Sequence, residues 1–154
     1  MIMPESIKSL EFVYDYAKSL FEKRLDHFED SMRNPIFEGE QTAIDLFIHA
    51  ISLLNWASRK TIDPDVDNKE IAIKLDPEST EPLPQQLLEL FNTAIKAYVE
   101  ARSKFKEEDL QNKFTSPFGR EMTYEDWFGF IIHHTIGHVY QVLRLQAVYL
   151  RQRV

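Results

Sequence analysis

Apolar residues recur along this chain at spacings of three and four, and the pattern predicts four amphipathic helices. Ile7, Leu10, Tyr14, Ala17 and Phe21 fall 3, 4, 3 and 4 residues apart and make one stripe. The first helix is expected from about Pro4 to about Asp30, with Pro4 suited to a first turn. Asn34-Pro35 closes the segment, because proline disfavours helical geometry in the residue before it. A second helix follows Gly39, where Thr42-Ala-Ile-Asp45 has the form of a capping box. It carries Leu46, His49, Leu53 and Trp56 on one side, with Phe47, Ala50, Leu54 and Ala57 beside them. The third runs from near Pro84 to about Glu108 through Leu87, Leu90, Phe91, Ala94, Tyr98, Ala101 and Phe105. The last opens with a matching capping box, Thr123-Tyr-Glu-Asp126, and continues towards Arg151.

Between the second and third helices lies a long connection, Thr61 to Pro84, with four prolines and many acidic residues. Within it, Ile71-Ala-Ile-Lys-Leu75 has the alternation of a short strand or an extended cover. Connections of this length in compact domains are often functional, and this one is expected to control access to a site. A second loop, Asp109 to Met122, contains Ser116-Pro-Phe-Gly119. Only four glycines occur and alternating β-branched runs are scarce. The expectation is therefore an all-α fold, a four-helix bundle forming a single domain over residues 1–154.

Composition narrows the function. At 154 residues, 44% hydrophobic and 28% charged, the chain can bury a core without staples. It has no cysteine, which removes disulfides, thiolate catalysis and Cys-type zinc sites together and fits a reducing cytoplasm. Any metal must be held by histidine, carboxylate or water. A net charge of −7 would repel a phosphate backbone, so nucleic acid is not an expected partner. No apolar stretch reaches the roughly 18–20 residues that span a bilayer. The segment from Met1 to Ser6 lacks the basic-then-apolar order of a signal peptide. A cytoplasmic protein without a membrane partner is expected.

Three of five histidines sit in one short run, His133-His134-Thr-Ile-Gly137-His138. The core stripe of the last helix is expected to run Trp127, Ile131, His134, His138, Gln141 or Val142, Leu145 and Tyr149. Residues at i and i+4 stand about 5–6 Å apart at Cβ, so two imidazoles so placed can converge on one ion. His133 points about 100° away and cannot easily join them. The bland alternative is a pair of hydrogen-bonded core histidines, each needing partners for both ring nitrogens. His49 discriminates, because it lies mid-helix among apolar neighbours in Ile48-His49-Ala50-Ile51. Were the second and fourth helices adjacent, His49, His134 and His138 would form a three-histidine face with an open position, the mark of a catalytic metal site. Asp45, four residues before His49, has three candidate roles: fourth ligand, acceptor orienting His49, or plain helix-cap acid. His27 sits among charges and is expected at the surface.

At these residues the chain resembles the DinB-like (damage-inducible B, or YfiT-like) superfamily of metal-binding four-helix proteins. The likeness rests on Phe47-Ile-His49-Ala-Ile-Ser-Leu-Leu54 in the second helix. It is joined by Thr123-Tyr-Glu-Asp-Trp-Phe-Gly-Phe-Ile-Ile-His-His134-Thr-Ile-Gly-His138-Val-Tyr-Gln141 in the last. A helix-two His, then His-x-x-x-His, then Gln three residues on is the family's typical order. Val139-Tyr140 stands where members often have Arg-Gly, and His133 is extra. Gly137 costs about 1 kcal/mol relative to alanine inside a helix, which points to close approach by another helix or a ligand. The resemblance implies a divalent ion, zinc or nickel foremost, and a homodimer. It also implies thiol-dependent transfer or isomerisation with bacillithiol, mycothiol or glutathione in some relatives.

The expected function is a metal-dependent transferase or hydrolase acting on a small molecule, with His49, His134 and His138 as ligands. Tyr14, Trp56, Trp127 and Tyr140 are candidate pocket residues, and Glu40 or Asp45 a candidate base. The alternatives are a non-enzymatic bundle that senses or carries a small molecule or metal, and a bundle whose histidines merely bond each other.

Overall fold

The computed structural model describes residues 4–153. Residues 1–3, part of the N-terminal segment read above for a leader, lie outside the described residues. Among the described residues five α-helices occur in chain order: α1 (Glu5–Lys23), α2 (Phe28–Arg33), α3 (Ala43–Ile62), α4 (Leu83–Ser103) and α5 (Tyr124–Arg153). Two 3-10 turns, Leu25–His27 and Glu107–Gln111, and one hairpin of β1 (Lys113–Thr115) and β2 (Glu121–Thr123) complete the elements.

The first helix stops short of its expected end. At Arg24 the backbone leaves helical geometry (φ −112°, ψ 18°). The guanidinium of Arg24 donates to the carbonyl of Leu143 at 3.2 Å and to Gln146 Oε1 at 2.7 Å. The break lets Phe28 fold edge-on against Phe21 (4.7 Å between centroids) and buries Ser31, whose hydroxyl accepts from Gln146 Nε2. Asn34 then ends α2 in extended geometry (φ −106°, ψ 133°), as the following proline demands.

Thr42 caps α3, its Oγ1 accepting from Asp45 N at 3.2 Å. Among the described hydrogen bonds this is only half of the expected capping box, since Asp45 makes no return bond to Thr42. Thr123 caps α5 in the same way through Asp126 N. Helix α4 ends at Ser103, before the expected Glu108, because Arg102 wraps the terminus. Its guanidinium donates to the Phe105 carbonyl at 3.0 Å and to Glu107 at 2.9 Å. Where an irregular loop was expected, Lys113, Phe114 and Thr115 pair antiparallel with Thr123, Met122 and Glu121. Gly119, at φ +81°, supplies the left-handed residue that this tight return needs.

Each of α1 and α3 packs against both α4 and α5, so α1 lies diagonally across from α3 and α4 across from α5. Leu10, Phe21, Phe47, Leu54, Phe91 and Ile131 fill the space between them and are fully buried, each contributing about 1.5–3 kcal/mol. Among the described residues no helix is long and apolar enough to cross a membrane.

The connection over residues 63–82 forms no strand. It is an extended cover, with Ile71 buried and Ile73 and Leu75 half-buried, alternating with exposed Ala72 and Lys74. Successive turns of α3 hold it down. Asn55 Nδ2 donates to the Ile71 carbonyl (2.7 Å), Trp56 Nε1 to Asn68 Oδ1 (3.2 Å) and Lys60 Nζ to the Val66 carbonyl (2.6 Å).

Candidate metal centre

The core line of α5 is Phe128, Ile131, Thr135, Val139, Val142, Gln146 and Tyr149, all buried. His134 and His138 sit one residue before Thr135 and Val139, about 100° around the helix, and are half-buried. The expected stripe placed them on the core face. They lie instead on its flank, because small or β-branched Thr135 and Val139 make the closer packing line. His49 is exposed rather than enclosed, since the face from Leu46 through Leu53 to Trp56 drifts from core to surface along α3.

The adjacency of α3 and α5 brings the three histidines together. Ring centroids are 5.1 Å apart for His49–His134, 5.2 Å for His49–His138 and 4.4 Å for His134–His138. One ring nitrogen from each lies within 4.8 Å of the others, and this trio contains no carboxylate. Asp45 and Glu40 are exposed and outside it; His133 and His27 face solvent.

Two local interactions prepare the rings. His138 Nδ1 lies 3.1 Å from Gln141 Oε1. An amide oxygen can only accept, so Nδ1 carries the proton and Nε2 presents its lone pair. Burial first, then the charges that His138 and His49 would carry, push His134 down to about 4, so it is neutral at pH 7. Among the described residues no hydrogen bond joins the three rings to one another, and His134 Nδ1 is buried without a partner. A buried polar atom left so costs about 1–3 kcal/mol. The histidines are therefore not a self-satisfied core cluster. The set fits a divalent ion: three neutral nitrogen donors suit a metal that favours imidazole, and an open solvent side leaves room for another ligand.

Of the candidate pocket residues, Trp56 borders the site and lines a cavity of about 420 Å³ beside His49. The tethered connection supplies the opposite wall of this cavity through Asn68, Ile71 and Ile73. Trp127 is fully buried, its Nε1 donating to Thr61 Oγ1 at 2.9 Å. Tyr14 packs on Phe91 across the bundle, and Tyr140 rests against Tyr16 on the outer face. The aromatic neighbours of the site are instead Phe130, 5.9 Å from His134, and Phe118, which bridges Phe130 and Trp56. Phe130 was legible as the residue one turn before His134. Phe118 was not, because the hairpin that carries it is a tertiary feature. The close approach expected at Gly137 is not met within the chain, where a Cβ would have open space.

A four-helix bundle with an open three-histidine cluster held between two non-consecutive helices defines the class. A comparison with known families matches residues 14–142 to the DinB superfamily, and the chain belongs to it. No curated protein matches the sequence.

Proposed function

We propose that His49, His134 and His138 hold a divalent metal ion, zinc or nickel, and that the protein is a metal-dependent transferase or hydrolase of small molecules. The carrying observation is the convergence of three ring nitrogens within 4.8 Å, without a carboxylate, at a solvent-open flank. When bound, the ion would supply Lewis acidity and lower the pKa of a coordinated water or thiol. A low-molecular-weight thiol is the co-substrate that family membership favours. The chain's own part is geometric. Gln141 fixes the tautomer of His138, burial keeps His134 neutral, and the cover over residues 63–82 walls one side of the approach.

The test is metal analysis of untagged protein with a parallel His138→Ala variant. Near-stoichiometric metal in the wild type and a loss of most of it in the variant is the expected result. Equal metal content in both would overturn the assignment. Turnover of an electrophile with each thiol, with and without chelator, then separates enzyme from carrier. If no thiol supports metal-dependent turnover, the second reading stands, a non-enzymatic sensor or carrier. A homodimer is supported by the exposed Phe12, Tyr16 and Tyr140, which adjoin on one outer face. Light scattering giving a monomer mass at micromolar concentration would remove it.

A further inference from the structure

Beyond the histidines the groove does not stop. The cavity beside His49 meets a second, of about 370 Å³, across Trp56 and Asn68, which line both. Each is within the roughly 300–1,000 Å³ of ligand sites. The second cavity runs between α3 and the hairpin, from Trp56 to Lys60 and Ser116. Two features at this groove suit a ligand. Phe118 does not itself line either cavity but packs on Trp56, which lines both; it is 56% exposed although a large aromatic, and its ring lies 5.4 Å from Trp56 at an interplanar angle of 32°. Lys60 is half-buried and donates only to backbone carbonyls; none of the described ion pairs includes it. A half-buried ammonium without a carboxylate, set at the end of an aromatic shelf, has charge complementarity with an anion.

We propose that this double cavity binds an elongated ligand with a planar aromatic body and an anionic end, the body on Trp56 and Phe118 and the anion at Lys60. The other end of such a ligand reaches His49. The proposal rests on the metal-centre assignment only for the chemistry at that end. A cavity of about 460 Å³ between α1 and α4 is a poor competitor, because Glu11, Asp15 and Glu100 line it against one Lys96.

Fluorescence titration with anilinonaphthalene sulfonate, and with neutral N-phenylnaphthylamine as its uncharged counterpart, tests this on the full chain. Wild type is expected to bind the sulfonate more tightly than the amine. Lys60→Gln, which keeps a donor for Val66, should lose about three- to fivefold for the sulfonate and nothing for the amine. Phe118→Ala, a change at an exposed ring, should weaken both by about three- to tenfold. Lys96→Gln should change neither. Sulfonate binding unaffected by both Lys60→Gln and Phe118→Ala, or displaced by Lys96→Gln, would overturn the proposal. Repeating the titration in chelator separates the two ideas. Binding that persists once the chelator has removed any metal shows that the groove stands without it, the metal centre being judged by the metal content of protein purified without chelator, whereas absent binding removes the groove whatever that content.

Discussion

His134 titrates near 4, against about 6.5 for an ordinary imidazole, because burial disfavours its charged form and two histidines stand beside it. With the folded value below the unfolded one, the unfolded chain binds more protons between about pH 6.5 and 4. The metal-free protein should therefore lose stability as pH falls through that window and level off below it. His134→Phe should flatten this part of the profile, as read by urea melts in chelator from pH 4 to 8; an unchanged profile would mean that His134 is not the group responsible. A second residue-scale effect belongs to Gln141. It is exposed, so Gln141→Leu should fold normally. Loss of the 3.1 Å contact to His138 Nδ1 releases the tautomer, and metal affinity should drop roughly ten- to a hundredfold in competition with a chromophoric chelator.

At the scale of elements, the break between α1 and α2 has one cause that can be removed. Gln146 is fully buried, accepts from Arg24 and donates to Ser31, so it ties three elements together. Gln146→Leu should cost about 1–3 kcal/mol in chemical denaturation, because Arg24 and Ser31 then lose a partner in a half-dry place. A cost under about 0.5 kcal/mol would show that water replaces the amide without penalty. This network also explains what the sequence could not reveal. Helix periodicity runs through Arg24 without interruption, and the reason for the kink lies on α5, more than a hundred positions away. The four long helices were legible, because apolar spacing and the Thr42 and Thr123 caps are local signals. The histidine cluster and its neighbour Gln141 were legible as residue types at His49, His134, His138 and Gln141. The exposure of the cluster was not, because Ile131 belongs equally to the stripe through His134 and to the stripe through Thr135. Only packing against α3 decides between them. The hairpin was hidden for a similar reason, its strands being three residues each.

On the scale of the whole molecule, the three histidines lie where α3 meets α5, with α4 and the hairpin between them in sequence. An ion bound there would cross-link the bundle as a long-loop staple does, favouring the state in which His49 has already met His134 and His138. Ligand linkage sets the size: at a free metal concentration a hundred times Kd the gain is about 2.7 kcal/mol. For a chain of this length that corresponds to a rise in Tm of roughly 5–10 °C. The gain should also be local. Amide exchange should slow in the middle turns of α3 and α5 around His49 and His134, whereas α1 and α4, which contribute no ligand, should change only through global unfolding. His49→Ala tests the cross-link directly. His49 is exposed, so the substitution leaves the metal-free Tm almost unchanged but abolishes the rise on adding metal. A full rise in that variant would mean that the ion is held by α5 alone, through His134 and His138, and joins nothing.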